Sequence, residues 1–373
     1  MRDPETVVSW LVPTTLFRHN WIGRLLEFLW DDFPAPLSEL IILGTQDADF
    51  VRQAQRIGYR VASSVAATNP HIMAKWPQVR FIERAEEVEG FNVAHSRRIL
   101  EEAAAGDVII HLDADVAIIG GRNFSRYAVA KLMQSRLGLL SFPSLNNGYH
   151  HKPEPNLPVM PDPRPGIGQD ILLAASANGM AVAMLRAIAN AMGGQNRAHQ
   201  RWGVYSAFCT KLAQAGLLSG YAMPGGHWLA TSDGESSISL TDSSRNPNSK
   251  HEKQVGVAML RDFYNLELGP PRHPFLQGYH ERYGVDDSLR SQEVATEAMR
   301  RAETFARHQS LPLGMEVYPF RPWECLHHPK TPDLLTTAYA RAEAYFAPLE
   351  ERLRRLGLHD LLPSGARDGS GRY

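Results

Sequence analysis

Only two cysteines, Cys209 and Cys325, occur in the 373 residues. Two thiols make no disulfide framework, so the fold is expected to rest on its core and to suit a reducing compartment. Cys209, in an apolar helical context, is expected to be a buried structural thiol. Apolar runs of the length a membrane span needs (about eighteen residues) are missing, and so is a basic-then-apolar leader. The chain is therefore expected to be soluble and cytoplasmic. Net charge is nearly absent, with 39 Lys and Arg against 40 Asp and Glu, a formal −1. A protein held to nucleic acid mainly by its phosphates would be basic, so the balance does not indicate a nucleic-acid partner. No internal repeat is present.

What is there is enough apolar residue, 43% of the chain, for a substantial core. The length favours one large domain with an appendage. Strands are expected at 7–12, closed by Pro13, Thr14 and Thr15, then at 39–44 and at 59–62, with helices at 21–29 and 49–57 between them. This β-α-β-α rhythm predicts an α/β fold with a mostly parallel sheet and helices on both faces. Ligands of such sheets bind beyond the carboxyl ends of the strands.

Residues 108–116 read Val-Ile-Ile-His-Leu-Asp-Ala-Asp-Val. The apolar, β-branched run predicts a buried strand. At its end stand Asp113 and Asp115, which in an extended chain would point to one side. Bare buried carboxylates are costly, and a hard divalent cation such as Mg²⁺ or Mn²⁺ bridging to phosphate would stabilise the pair. A strand-end Asp pair that merely shapes a turn is the plainer alternative. Before the strand comes a helix-like stretch to Ala105 and then Gly106-Asp107, an α-to-β connection with glycine at the helix C-cap.

This unit, from the helix start at Ala94-His95-Ser96 through Gly106-Asp107 to Leu112-Asp113-Ala114-Asp115, resembles the family-2-like glycosyltransferases of the GT-A fold. His95 and Ser96 depart from it, standing where the family usually has Arg and Asn. The resemblance extends over residues 6–255. It implies a nucleotide-binding edge at Pro13, Thr14 and Thr15, and at Asp47 in the loop after the second strand. Ala177-Asn178-Gly179 would begin a strand beside the donor sugar, with Asn178 and Gly179 at the site. Asp113 would reach ribose or metal, and Asp115 the metal. His227, after Gly225-Gly226, resembles a third metal ligand. Arg245 and Lys250, in the polar run 231–253, would clamp a diphosphate.

After Trp202-Gly203 the family generally places an acid that takes the acceptor's proton. Here Val204-Tyr205 follows. Asp170, after the proline-rich stretch 143–168, is the carboxylate chosen as an alternative base; helix N-capping is its plainer role. That stretch is expected to be a binding loop or lid. The expected organisation is a catalytic domain over 1–268, a mostly helical extension over 269–363 that offers a homodimer contact, and a disordered tail over 364–373.

The implied activity is metal-dependent transfer of a sugar from a nucleotide-diphosphate sugar to a hydroxyl acceptor, with Mn²⁺ or Mg²⁺ and with the stereochemistry open. A nucleotidyltransferase of similar α/β fold, or a degenerate nucleotide-sugar-binding protein, remains the alternative.

Overall fold

Among the described residues, eleven strands form around an apolar centre in a computed structural model of the chain. It describes residues 5–14, 37–46, 79–85, 93–113, 116–119, 124–142, 159–161, 164, 170–174, 181–196, 203–222, 228–231, 251, 255, 258, 293–294, 296–297, 299–300 and 331–363. The strands are β1 (Val8–Thr14), β2 (Ser38–Gln46), β3 (Val79–Ala85), β4 (Val108–Leu112), β5 (Val116–Ile119), β6 (Leu139–Ser141), β7 (Val159–Pro161), β8 (Ile171–Ala174), β9 (Ala181–Leu185), β10 (Ser219–Ala222) and β11 (Trp228–Thr231). The helices are α1 (Val93–Ala103), α2 (Phe124–Ser135), α3 (Arg186–Ala191), α4 (Val204–Gln214) and α5 (Thr331–Arg355).

Nine strands make one sheet in the order β3-β2-β1-β4-β9-β6-β10-β8-β7. The β3-β2-β1-β4 half is parallel, as the β-α-β rhythm predicts. Beyond β4 the sheet is mixed. There β9 runs antiparallel to both β4 and β6, and β8 antiparallel to β10 and β7. Those short strands are each too brief to declare a direction in sequence. Val159–Pro161 falls inside the stretch expected to be a loop and instead makes the sheet's last strand. An edge is where a strand containing proline is tolerated, because one row of N–H groups needs no partner.

Every residue of β4 is buried, as expected of a strand covered on both faces. Its pairing with β1 sets Trp10 opposite Ile110 and Leu11 opposite His111, so those two pairs face opposite sides. On the Trp10 side lies α2. The Trp10 indole N–H donates to Ser125 Oγ at 2.9 Å, and the ring lies 5.9 Å from Phe124. On the His111 side lies α1, so the sheet carries helices on both faces. Fully burying an aliphatic or aromatic side chain contributes about 1.5–3 kcal/mol, and one cluster of such residues runs from β1 through β4 and β9 to α5.

Helix α5 belongs to that cluster through Leu335, Ala342, Phe346, Leu349 and Leu353. Arg136 Nη2 donates to Glu350 Oε2 at 2.6 Å, with its guanidinium 5.1 Å from the Phe346 ring. Arg352 pairs with Asp107, in the turn that leads into β4. Within the stretch 269–363, expected to be mostly helical, α5 is therefore present and packed on the core. Helical residues also occur there at 293–294, 296–297 and 299–300. The predicted helices at 21–29 and 49–57, the strand at 59–62 and the tail at 364–373 lie outside the described residues.

The reason for glycine at position 106 differs from the one expected. Gly106 is not among the positive-φ residues, so it is no left-handed helix cap. It is instead a point of close approach. An added Cβ would lie 2.6 Å from Ser9 N and 2.8 Å from Ser9 Oγ. The Gly106 N–H donates to Ser9 Oγ at 2.7 Å, while the buried Glu39 carboxylate accepts from the Ser9 hydroxyl at 2.5 Å and from the Ala105 N–H at 2.7 Å. The start of β4 is thereby fastened to β1 and β2.

Candidate functional site

Asp113 immediately follows the last residue of β4. The Val116 N–H donates to its carbonyl at 3.1 Å, closing a turn that leads into β5. The strand thus ends at Leu112, one residue before Asp113. Asp115 lies outside the described residues. Strand β5 pairs antiparallel with β11, setting Val116 opposite Thr231 and Ile119 opposite Trp228. The end of this ribbon beside the acidic turn is the Thr231 end. His227 also lies outside the described residues.

Alternation along β4 sends His111 and Asp113 to the same side, where α1 and α4 cover them. Arg97 of α1 donates from Nη2 to Asp113 Oδ1 at 2.8 Å. The Arg97 side chain is 4% exposed and that of Asp113 29%, so the carboxylate is the outer member of the pair. The Arg97 guanidinium also lies over the Tyr205 ring, 4.4 Å from its centroid. Tyr205 is the second residue of α4, which begins after Gly203 at φ 76°. Its ring stands edge-on to His111 at 6.4 Å.

Deeper on the same side, His111 Nε2 lies 3.1 Å from Glu101 Oε1, both side chains almost wholly enclosed. Burial holds the His111 pKa below the usual histidine value, opposed by the Glu101 hydrogen bond and charge. Lys211, in the second half of α4 and buried, is pushed down to about 8 by desolvation, with Glu101 opposing. The Tyr205 phenol is pushed well above its usual value by burial, and its oxygen has no hydrogen-bond partner among the described residues. A phenol that keeps its proton so firmly is no general base at neutral pH.

The residues singled out in the sequence fall into three groups. Asp113 reaches the carboxyl edge of the sheet, and Pro13 and Thr14 end β1, the neighbouring strand, at that edge. Asp170 immediately precedes β8, four strand positions from β4 and about 19 Å away at ordinary strand spacing. Its carboxylate accepts from Lys131 Nζ of α2 at 2.8 Å and is 63% exposed. The structure does not bring it beside Asp113. Thr15, Asp47, Asn178, Gly179, Arg245 and Lys250 lie outside the described residues, as do Asp115 and His227.

Arg97, Glu101, Tyr205 and Lys211 were not singled out in the sequence as site residues. One signal pointed to them. His111 is the sole polar residue in the apolar run before Asp113, and its period-two relation to that acid requires polar company on the same side. Cys209 is buried in α4, as expected.

Asp113 suits a hard divalent cation, since its oxygens are hard ligands, Arg97 occupies Oδ1, and the side chain is partly open. Among the described residues no three His, Cys, Asp or Glu side chains group closely enough to hold a metal. Asp113 would need ligands from beyond them. No helix among the described residues is long and apolar enough to cross a membrane.

No family model matches the chain, and no curated protein matches it. Among solved structures it is similar to the mannosyltransferase PcManGT from Pyrobaculum calidifontis in complex with GDP-Man and Mn²⁺, at 16% identity and TM-score 0.49, over 93% of this chain and 88% of that one. It is similar to S. aureus TarS 1-349 in complex with UDP-GlcNAc at 13% identity and TM-score 0.47, over 94% and 92%. It is also similar to GalNAc-T7 with UDP, GalNAc and Mn²⁺, at 13% identity and TM-score 0.47, over 83% of this chain and 59% of that one.

Proposed function

We propose that the chain is a metal-dependent glycosyltransferase of the GT-A type, moving a sugar from a nucleotide-diphosphate sugar to a hydroxyl acceptor. The observation that supports this most is the presentation of Asp113. A fully buried strand ends at a carboxylate that is partly open, fixed through one oxygen by Arg97, on the edge of an α/β sheet where ligands bind.

In this reading Asp113 and Asp115 hold Mn²⁺ or Mg²⁺, which when bound would neutralise charge on the departing nucleoside diphosphate. Arg97 keeps Asp113 oriented by occupying Oδ1. Pro13 and Thr14, ending the neighbouring strand, lie on the edge that would take the nucleoside. Arg245 and Lys250 are the proposed phosphate contacts, Asn178 and Gly179 the proposed sugar-side contacts, and His227 the proposed third ligand. Tyr205 takes no proton from the acceptor, so the helix after Trp202-Gly203 contributes no base through its first two residues.

Incubating the protein with Mn²⁺ and a panel of nucleotide sugars tests the reading. Release of a nucleoside diphosphate supports transfer, whereas pyrophosphate release from a nucleoside triphosphate and sugar phosphate supports nucleotidyl transfer. Binding without turnover supports a degenerate binding protein, a reading favoured by Val204-Tyr205. Asp115→Ala should abolish Mn²⁺-dependent nucleotide binding with the fold intact. Wild-type Mn²⁺ dependence in that variant refutes the metal assignment.

A further inference from the structure

We propose that Tyr205 is a positioning residue for Asp113, acting through Arg97, and the inference rests on the donor-and-cation reading above. Three elements meet at this point. The carboxylate comes from the end of β4, the guanidinium from α1, and the aromatic ring from the first turn of α4. The Arg97 guanidinium sits 4.4 Å from the Tyr205 centroid while its Nη2 donates to Asp113 Oδ1 at 2.8 Å. Tyr205 is 6% exposed and Arg97 3%, so this arrangement is shielded from water and the ring's attraction for the cation is little screened.

A planar guanidinium held against a ring face loses the freedom to turn away from its acceptor. The fixed Nη2–H then fixes Oδ1, which sets the direction in which Oδ2 faces the open edge. A cation needs its ligand oxygens aimed as well as present, and partners that aim them are worth about 10–100-fold in affinity. The phenolic oxygen has no hydrogen-bond partner among the described residues. The ring face is the part of Tyr205 that meets Arg97.

The test is Mn²⁺ affinity of the full-length chain, read from the paramagnetic resonance signal of free Mn²⁺ with UDP, GDP, ADP, CDP and dTDP present in turn. Wild-type protein that binds Mn²⁺ with none of them refutes the donor-and-cation reading itself. Given wild-type binding, Tyr205→Phe keeps the ring and should hold affinity within about twofold. Tyr205→Leu removes the ring face and should weaken Mn²⁺ about 5–30-fold, the range of a desolvated cation–π contact. Arg97→Lys keeps the charge but loses the plane, and should weaken Mn²⁺ at least as much. Tyr205→Leu should then add little on top of Arg97→Lys, because the ring has no plane left to hold. Unchanged affinity in folded Tyr205→Leu, a Phe variant as damaged as the Leu variant, or losses that simply multiply would each overturn the proposal. Should Tyr205→Leu fail to fold by circular dichroism, Arg97→Lys decides. Wild-type Mn²⁺ affinity there overturns the proposal, and a loss beside an undamaged Tyr205→Phe supports it.

Discussion

Replacing Gly106 by alanine should destabilise the protein through contact alone. The new methyl would lie 2.6 Å from Ser9 N, 2.7 Å from the Val8 carbonyl carbon and 2.8 Å from Ser9 Oγ. Two of these are backbone atoms of β1, so no side-chain rotation relieves the clash and the turn must move. Overpacking of this kind costs about 1–3 kcal/mol. Moving the turn also stretches the 2.7 Å bonds from Gly106 N–H to Ser9 Oγ and from Ala105 N–H to Glu39, each worth about 1 kcal/mol. The entropy alanine removes from the unfolded chain returns only about 0.4–1 kcal/mol. The balance is a loss of about 2–4 kcal/mol, or a melting temperature lower by about 3–5 °C for a chain of this length. Gly357→Ala is the control, because Gly357 has φ +73° with nothing within 4 Å of an added Cβ. It should cost only the left-handed strain of about 1–2 kcal/mol. Urea unfolding followed by circular dichroism measures both. A Gly106→Ala protein as stable as wild type, or more stable than Gly357→Ala, would show that β1 does not crowd this turn.

Lys211 makes a prediction with a definite sign. Its folded pKa of about 8 lies below the unfolded value near 10.4. Between those values the unfolded chain binds more protons, so stability should rise with pH over that window, by about 3 kcal/mol at most. Below pH 8 both states are protonated and this group contributes no slope. Lys211→Met should lose the rise, and melting temperatures from pH 7 to 10 for the two proteins check it. For Asp170→Asn, the exposed pairing with Lys131 is worth less than about 1 kcal/mol. Turnover should stay within about threefold of wild type, since four strand positions separate Asp170 from β4. A fall of about 10²–10⁴-fold with donor affinity kept would instead establish Asp170 as the general base.

The parts of the fold that were legible in sequence are those where one local rule dominates. Continuous apolar runs declared β1, β2 and β4, and α5 falls within the extension expected to be mostly helical. The antiparallel partners β8, β9 and β10 have four or five residues each, too few to reveal direction, and a proline-rich segment concealed β7. The strand that carries Asp113 was legible, but the hydrogen bond from the Val116 N–H to the Asp113 carbonyl just beyond its end was not. Arg97 was hidden for a different reason. It stands beside Arg98 on α1, and composition does not separate the two. Arg97 turns inward to Asp113, while Arg98 bonds Glu102 one turn on, at 2.7 Å.

The buried polar cluster behind Asp113 carries a cost. Glu101, His111 and Lys211 occupy volume that apolar side chains would fill with equal or greater stability, because desolvating charges offsets most of what their pairing returns. His111 lies two residues before Asp113 on the same side of β4, with Glu101 bonded to it at 3.1 Å. Breaking the cluster by removing one member should therefore harm more than replacing it whole, since an orphaned buried charge keeps its desolvation cost without its partner. The asymmetry separates a positioning role from mere tolerance. If the cluster only fills space, an apolar replacement of Glu101, His111 and Lys211 together leaves Mn²⁺ affinity untouched. If it aims Arg97 and Asp113, that replacement keeps or raises the melting temperature while Mn²⁺ affinity falls.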